Sequence, residues 1–118
     1  MKPVFICYPK CTTCHKAKKW LDDNGFSYEE RNIKEEHPTV DELKEWYAKS
    51  GFSLKQFFNT SGLLYKSLGL KDRLTGMSHE EQLALLASDG MLVKRPLLIT
   101  ACPVLVGFKE AEWGKKLR

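Results

Sequence analysis

The order of predicted elements in this chain indicates an α/β protein with a mixed four-stranded β-sheet. A strand–helix–strand unit opens the chain in residues 3–33. The middle, approximately residues 39–90, carries helical patterns and no convincing strand. Two apolar segments and a terminal helix follow in residues 95–117. The order β-α-β, helical insertion, β-β-α is typical of helices packed against one sheet.

The size and composition of the chain fit a single globular domain. Its 118 residues can form one hydrophobic core, and the hydrophobic content of 42% is ordinary. The net charge is +4, but lysines alternate with acidic residues, so no nucleic-acid partner is indicated. No signal peptide or membrane-spanning run is recognisable. Four cysteines without export features predict a cytoplasmic protein whose C-x-x-C motif is redox-active.

The first unit is predicted to be a right-handed βαβ crossover with parallel strands. Residues 3–7 are apolar and form the first strand, and residues 8–10 resemble a turn. The following helix ends at Asn24-Gly25, and residues 26–33 alternate apolar and polar side chains as a second strand does. The apolar face of the helix repeats at i, i+3 and i+7 through Cys14, Ala17 and Leu21.

The middle of the chain is predicted to be helical because two capping boxes open helices in it. Thr39 is followed by Glu42, and Ser78 by Glu81, at the spacing of a capping box. Apolar residues at helical spacings are expected in the core: Val40, Leu43, Trp46, Tyr47, Leu54, Phe57, Phe58, Leu63, Leu64, Tyr65, Leu68, Leu83, Leu85 and Leu86. No repeat, linker or cofactor motif is apparent.

The last part of the chain is predicted to be a β-hairpin followed by a helix. Residues 95–100 and 104–107 are apolar enough for buried strands, and residues 101–103, Ala-Cys-Pro, form the expected turn. The final helix covers residues 109–117 with Trp113 on its inner side.

The two cysteines of the C-x-x-C motif, Cys11 and Cys14, are expected at the start of the first helix. Unpaired backbone N–H groups and the helix dipole favour an anion there, so a thiol at this position is biased toward thiolate. Lys10 and Lys16 are expected to act in the same direction. The spacing also lets Cys14 resolve a mixed disulfide formed at Cys11. This pattern favours thiol–disulfide chemistry.

Three other interpretations of this segment stay open at this point. A zinc site needs four ligands, and the remaining cysteines and histidines are scattered, so we predict no metal. Cys11 to His15 also reads C-x-x-C-H, the pattern of covalent haem attachment. Finally, both cysteines could be ordinary core residues, an interpretation that suits Cys14 better than Cys11.

Four segments resemble the arsenate reductase-related branch of the thioredoxin fold, and particularly its Spx-like members. They are residues 11–21 (CTTCHKAKKWL), 30–33 (ERNI), 94–97 (KRPL) and 106–108 (VGF). The resemblance covers essentially the whole chain. It implies a single thioredoxin-like domain over residues 1–118, with the helical insertion between strands 2 and 3.

The resemblance also implies a role for each matching residue. Cys11 corresponds to the nucleophile, and Cys14 to the second cysteine of the Spx-type switch. Arg95 corresponds to an arginine over the thiolate, where a charged planar fork both lowers a thiol pKa and binds an oxyanion. The alternative for Arg95 is a surface salt bridge. Pro96 corresponds to a cis-proline facing the cysteine. The expected substrate-binding residues are Thr12, Thr13, Asn59 and Pro96.

Three functions follow from these residues. The first is a thiol–disulfide redox protein with no bound cofactor, reduced by glutathione, another low-molecular-weight thiol, thioredoxin or glutaredoxin. The second is an Spx-like redox-sensing regulator that binds the C-terminal domain of the RNA polymerase α subunit. The third is an arsenate reductase. It would have only Arg95 for the oxyanion, because Asn59 stands where the family has another arginine and the segment at residues 106–108 has none.

Overall fold

The computed structural model describes residues 2–100 and 104–117. Its strands are β1 (Val4–Cys7), β2 (Glu29–Asn32), β3 (Leu97–Ile99) and β4 (Val104–Val106). Its α-helices are α1 (Thr12–Asp23), α2 (Val40–Ser50), α3 (Leu63–Ser67), α4 (Leu70–Arg73), α5 (His79–Ser88) and α6 (Glu110–Leu117). Short 3-10 helices cover Leu54–Phe57, Leu74–Gly76 and Gly90–Leu92.

The four strands form one mixed sheet, as the sequence predicts, and their order in it is β2-β1-β3-β4. β1 and β2 are parallel, with Val4 opposite Glu29 and Cys7 opposite Asn32. β3 is antiparallel to both β1 and β4. The turn predicted at residues 101–103 lies outside the described residues, but the hairpin pairing of β3 with β4 is confirmed.

The chain divides into two compact units. The first, called here the sheet unit, comprises Met1–Asn32 and Arg95–Arg118, and it contains the whole sheet with α1 and α6. The second, called the helical unit, is Ile33–Lys94 and contains the remaining helices. The helical insertion predicted between strands 2 and 3 therefore corresponds to the helical unit.

The core of the sheet unit is formed where α1 and α6 pack on the sheet. Its buried members are Phe5, Ala17, Leu21, Leu98, Leu105 and Trp113. Trp113 of α6 meets Phe108 edge-on, with ring centroids 5.0 Å apart, and its indole Nε1 donates to the Gly107 carbonyl at 3.0 Å. Burying the indole with its N–H paired avoids the cost of an unsatisfied polar group.

Helix α1 ends at Asp23 and is closed by Asn24-Gly25, as predicted, because Gly25 adopts the left-handed conformation with φ 74°. The Gly25 N–H donates to the Asp22 carbonyl at 3.2 Å, and the Phe26 N–H donates to the Leu21 carbonyl at 3.0 Å. These two bonds form a Schellman motif. They hold Phe26 against the end of the helix, which is why β2 begins at Glu29, later than the alternating pattern suggests.

Capping boxes start two of the helices in the helical unit, at the residues that the sequence indicates. The Thr39 Oγ1 accepts from the Glu42 N–H at 3.2 Å, and the Ser78 Oγ accepts from the Glu81 N–H at 3.1 Å. Among the described residues of this unit, strand-type pairing is limited to an isolated bridge between Phe58 and Val93.

Two of the expected core residues are instead exposed. Leu63 is 87% exposed and Val40 is 41% exposed. Both are the first residue of their helix, and α3 is only five residues long, so a single buried position, Tyr65, suffices to anchor it. Across residues 2–100 and 104–117, no helix combines the length and the apolar composition needed to cross a membrane.

Candidate redox site

Cys11 is the N-cap residue of α1 and follows the loop that leaves the end of β1. Its backbone is extended, and its N–H donates to the Tyr8 carbonyl at 3.0 Å, which closes a tight turn. Its carbonyl accepts the His15 N–H at 3.2 Å and so starts the helix. The Cys11 side chain is partly exposed, so an external molecule can reach the sulfur.

The pKa of the Cys11 thiol is lowered from its ordinary value, although burial alone would raise it. Four contributions outweigh the burial: the Cys14 N–H, the Cys14 thiol, the charge of Arg95 and the Thr13 N–H. The N–H groups belong to the first turn of α1, where they have no partner within the helix. Lys10 and Lys16, the predicted contributors, are both exposed, so solvent and salt screen their charge.

Cys14 has the opposite character. Its side chain is 1% exposed, and burial raises the pKa of its thiol to about 12. The Tyr8 N–H donates to the Cys14 Sγ at 3.4 Å. The Cys14 thiol donates in turn toward the Cys11 sulfur, which favours the Cys11 thiolate and holds the proton on Cys14. The two sulfurs are free thiols in this structure.

Arg95 lies at the start of the segment that leads into β3, and two of its nitrogens are available as donors. Nε and Nη1 are buried, and neither has a hydrogen-bond partner within the described parts of the chain. The guanidinium lies over the ring of Tyr8, with Cζ 5.2 Å from the ring centroid. A buried donor without an acceptor costs free energy, so these N–H groups favour an incoming anion or thiolate.

Pro96 follows Arg95 through a cis peptide bond, as the resemblance implied. Its side chain is buried, and its carbonyl accepts the Gly107 N–H at 2.8 Å. This bond ties the segment carrying Arg95 to the residue that follows β4. The guanidinium is thus supported by the sheet rather than by a free loop.

The remaining predicted site residues fall into two groups. Thr12 and Thr13 occupy the first two positions of α1 with exposed side chains, directly beside Cys11. Asn59 lies in the helical unit, where its N–H donates to the Leu92 carbonyl at 2.8 Å. Its Oδ1 accepts from the Ser61 hydroxyl at 3.4 Å. The substrate-binding role of these residues stays a prediction.

The structure adds Tyr8 and Cys7 to the site and gives His15, which the sequence considered only within a haem-attachment pattern, a different contact. Tyr8 contacts both Arg95 and Cys14. His15 Nε2 donates to the Pro9 carbonyl at 2.6 Å and so holds the loop before Cys11. Cys7, at the end of β1, is a half-buried free thiol. For Tyr8 and Cys7, the position in or beside the turn before the C-x-x-C motif was the available signal.

The alternative interpretations can be compared with the geometry. Within residues 2–100 and 104–117, no three histidine, cysteine or acidic side chains are grouped so that they could hold a metal ion. The burial of Cys14 is what an ordinary core cysteine would also show. The salt-bridge alternative for Arg95 does not account for its Nε and Nη1, which lack acceptors among the described residues.

Comparison with known proteins identifies the family. Residues 7–116 match the sequence model of the ArsC family. The chain belongs to the ArsC family. The match begins at Cys7, beside the cysteine pair, and extends through the last helix.

ArsC-family relatives include both a near match and a named regulator. YusI of Bacillus subtilis (strain 168) is 55% identical over 96% of this chain and 96% of its own length. The global transcriptional regulator Spx of Staphylococcus haemolyticus (strain JCSC1435) is 30% identical, over 88% of this chain and 78% of its own length. The chain is therefore similar to Spx over most of both proteins.

Solved structures of ArsC-type proteins share the fold. An ArsC family related protein from Bacteroides fragilis is 56% identical with a TM-score of 0.95, covering 98% of this chain and 97% of that one. A protein from Streptococcus mutans UA159 described as a possible arsenate reductase is 46% identical with a TM-score of 0.85, covering 91% of each chain. The thioredoxin-like fold predicted from the sequence is thereby confirmed.

Proposed function

We propose that this protein is a thiol–disulfide redox protein of the ArsC family, with Cys11 as the nucleophile and Cys14 as the resolving thiol. Glutathione, another low-molecular-weight thiol, thioredoxin or glutaredoxin supplies the reducing equivalents, and no bound cofactor takes part. We infer a cytoplasmic location from the cysteine usage of the chain.

The observation that carries the proposal is the division of properties between the two thiols. Cys11 is partly exposed with a lowered pKa, whereas Cys14 is buried with a pKa of about 12. A nucleophile must be both ionised and accessible, while a resolving thiol must stay protonated and protected until it is needed. Two ordinary core cysteines have no reason to differ in this way.

The proposed reaction has two steps. The Cys11 thiolate attacks a disulfide sulfur of the partner, the partner's S–S bond breaks, and the released thiolate takes up a proton. Cys14 then gives up its proton and attacks Cys11, forming the Cys11–Cys14 disulfide and releasing the second partner thiol. Arg95 stabilises the negative charge at Cys11 whenever that sulfur is a thiolate. External thiol or thioredoxin reduces the disulfide again.

The test measures the reactivity and ionisation of each thiol separately. The ultraviolet absorbance of the thiolate and the rate of iodoacetamide alkylation are followed against pH, with mass spectrometry to assign the modified cysteine. Cys11 should titrate below an ordinary cysteine, and its mixed disulfide with glutathione should accumulate in the Cys14→Ser variant. If Cys11 titrates like a free cysteine, the proposal is wrong.

A matched control is provided by the Cys11→Ser variant. Replacing the nucleophile should abolish the reduction of a glutathione mixed-disulfide substrate, whereas Cys14→Ser should still form the first intermediate. Cys102→Ser, which removes a cysteine from outside the C-x-x-C motif, should leave the reaction rate unchanged.

A redox-sensing regulator is the second candidate function, supported by the similarity to Spx. In this case the Cys11–Cys14 disulfide changes a docking surface for the C-terminal domain of the RNA polymerase α subunit. Binding of this domain to the reduced and the oxidised protein, measured by pull-down, separates the candidates. Absence of binding in both states removes the regulator hypothesis and leaves the oxidoreductase intact.

Arsenate reduction is the third candidate, supported by the similarity to the Streptococcus mutans structure. The buried Nε and Nη1 of Arg95 have no acceptor in the described part of the chain, so they are suitable donors for an oxyanion near Cys11. Arsenate-dependent turnover is measured with glutaredoxin and with thioredoxin as reductant. Turnover with neither system excludes this candidate.

A further inference from the structure

We propose that Cys7 is a third redox thiol: after Cys11 and Cys14 form a disulfide, Cys7 attacks Cys14 and releases Cys11 as a free thiolate. The oxidised protein would then carry a Cys7–Cys14 disulfide and retain its nucleophile. This inference rests on the proposed function, since it requires the Cys11–Cys14 disulfide to form first.

The distance between Cys7 and Cys14 is limited by a hydrogen bond. The N–H of Tyr8 donates to the Cys14 Sγ at 3.4 Å, and Tyr8 is covalently joined to Cys7. From standard backbone dimensions, the Cys14 sulfur therefore lies within about 6 Å of the Cys7 Cα. The Cys7 sulfur lies two bonds from the same Cα, so the proposed disulfide joins two side chains that are already neighbours.

The side chain of Cys7 faces the helix that carries Cys14. Cys7 packs against the buried cluster that includes Phe5, Ala17 and Leu21. Phe5 is two residues before it on β1, and side chains two apart share one face of a strand. Ala17 and Leu21 lie on the same face of α1 as Cys14. Cys7 and Cys14 therefore both face the layer between the sheet and α1.

The electrostatic surroundings of Cys7 come from both elements that enclose it. Lys18 of α1 and Glu30 of β2 form an ion pair at 2.7 Å, and both act on the Cys7 thiol, as does Cys11. Cys7 in turn raises the pKa of Cys14 and of Tyr28. Burial, followed by the charge of Glu30, raises the pKa of Cys7. Cys7 is thus protonated in the resting protein and attacks only when an adjacent disulfide is present.

The leaving group determines which sulfur Cys7 attacks. Attack on Cys14 releases Cys11, whose thiolate is stabilised by backbone N–H groups and Arg95. Attack on Cys11 would release Cys14, whose pKa is raised to about 12 and which is a poor leaving group. The relay therefore proceeds toward the Cys7–Cys14 disulfide.

The exchange is balanced without an added reagent. The Cys7 thiol gives its proton to solvent, and the thiolate forms a bond to the Cys14 sulfur. The Cys11–Cys14 bond breaks, and Cys11 leaves with the electron pair. One disulfide replaces another, so no net oxidation occurs, and one proton is released for each exchange.

Trypsin makes the two disulfides easy to distinguish. Cleavage after Lys10 and Lys16 places Cys7 in residues 1–10 and both Cys11 and Cys14 in residues 11–16. The reduced protein is oxidised with diamide, incubated at several pH values, quenched with acid and alkylated with N-ethylmaleimide. A Cys7–Cys14 disulfide links the two peptides and leaves Cys11 alkylated.

The exchange releases one proton, so the ratio of the two disulfide forms depends on pH. The ratio of the Cys7–Cys14 form to the Cys11–Cys14 form should rise about tenfold per pH unit in the range where Cys11 is ionised and Cys7 is not.

Variants make the outcome decisive. Cys7→Ser, or Cys7→Ala if the serine variant does not fold, should abolish the linked peptides, and Cys102→Ser should preserve them. A Cys11–Cys14 disulfide without linked peptides at any pH overturns the relay and leaves the proposed function standing. Linked peptides with Cys14 alkylated instead of Cys11 also overturn it. Failure to form any disulfide at Cys11 overturns the proposed function itself.

Discussion

Cys11 and Cys14 are separated by only one turn of helix, yet their thiols differ in ionisation and exposure. Cys11 is at the cap position, where unpaired N–H groups point toward its sulfur. Cys14 is already on the face of α1 that packs against the sheet, so its sulfur is buried. The positions of the two thiols, one helical turn apart, therefore suit Cys11 to attack and Cys14 to resolve.

Arg95 offers the first prediction at the scale of single residues. Arg95→Gln removes the positive charge that favours the Cys11 thiolate, so the pKa of Cys11 should rise and alkylation at pH 7 should slow several-fold. The measurement is the pH profile of iodoacetamide alkylation. Arg95→Lys keeps the charge without the planar guanidinium, so its Cys11 pKa should lie between those of the parent protein and Arg95→Gln. Identical profiles for Arg95→Gln and the parent protein would contradict the role of Arg95.

The lowered pKa of Cys11 also predicts how stability depends on pH. In the reduced protein the folded state releases this proton at lower pH than the unfolded state does. The stabilisation is therefore present above the ordinary thiol pKa and is lost as the pH falls through the pKa of the folded state. In urea unfolding of the reduced protein, the contribution of Cys11 to the free energy of unfolding should increase with pH up to about 9. Cys11→Ser should lack this increase. If the free energy of unfolding depends on pH in the same way in the variant and the parent protein, the prediction is wrong.

Part of the site could be predicted from the sequence because short motifs specify it. The C-x-x-C motif fixes where Cys11 and Cys14 lie on α1, and the Arg-Pro pair matched a recognisable family pattern. Tyr8 was missed because its contact with Arg95 depends on β3 lying beside β1. A contact between residues this far apart in the chain has no local signature.

At the scale of elements, Gly25 provides a clean test of how α1 ends. Its φ is 74°, and a Cβ there would meet nothing within 4 Å, so Gly25→Ala introduces backbone strain without a clash. The expected cost in the free energy of unfolding is about 1–2 kcal/mol, measured by chemical denaturation. Gly76→Ala is the matched control, because that site is equally open and its φ lies outside the left-handed region. Equal free energies of unfolding for Gly25→Ala and Gly76→Ala would contradict the role of Gly25 at the end of the helix.

Gly90 tests a different constraint, in the helical unit. A Cβ at this position would run into the backbone carbonyl of Ile33 and approach the His37 side chain. A backbone atom cannot move aside as a flexible side chain can. Gly90→Ala should therefore lower the free energy of unfolding by about 3 kcal/mol or more, well beyond Gly76→Ala. A change below about 1 kcal/mol would show that this close approach is not maintained.

Elements with strong local signals were predictable, and short ones were not. The capping boxes at Thr39 and Ser78 and the glycine that ends α1 specify their helices locally. The division of residues 63–76 into α3, α4 and a 3-10 turn has no comparable signal. The exposure of Leu63 likewise follows from how short α3 is, which hydrophobic spacing cannot reveal.

At the scale of the whole molecule, the sheet order predicts which backbone is most protected. β1 is hydrogen-bonded to β2 on one side and to β3 on the other, and its Phe5 and Ile6 are fully buried. Their amides should exchange hydrogen more slowly than those of β2, which has a single neighbour. Native-state hydrogen exchange followed by NMR measures this. Faster exchange in β1 than in β2 would contradict the observed strand order.

The sequence indicated the mixed sheet because the order of its elements restricts the arrangements. A βαβ unit requires parallel strands, and a short turn requires an antiparallel hairpin. The pairing of β1 with β3 could not be derived in the same way, since the whole helical unit separates them in the chain. That pairing is known from the structure.

The position of β2 has a consequence for how copies of this protein behave in concentrated solution. Another chain can add to the outer strand of a sheet, and such a strand is a common starting point for aggregation. β2 consists of Glu29, Glu30, Arg31 and Asn32, and all four side chains are charged or amide groups. Stacking a second copy along this strand would bring like charges together and strip them of water. The same four residues that complete the sheet thereby discourage its growth into a fibril.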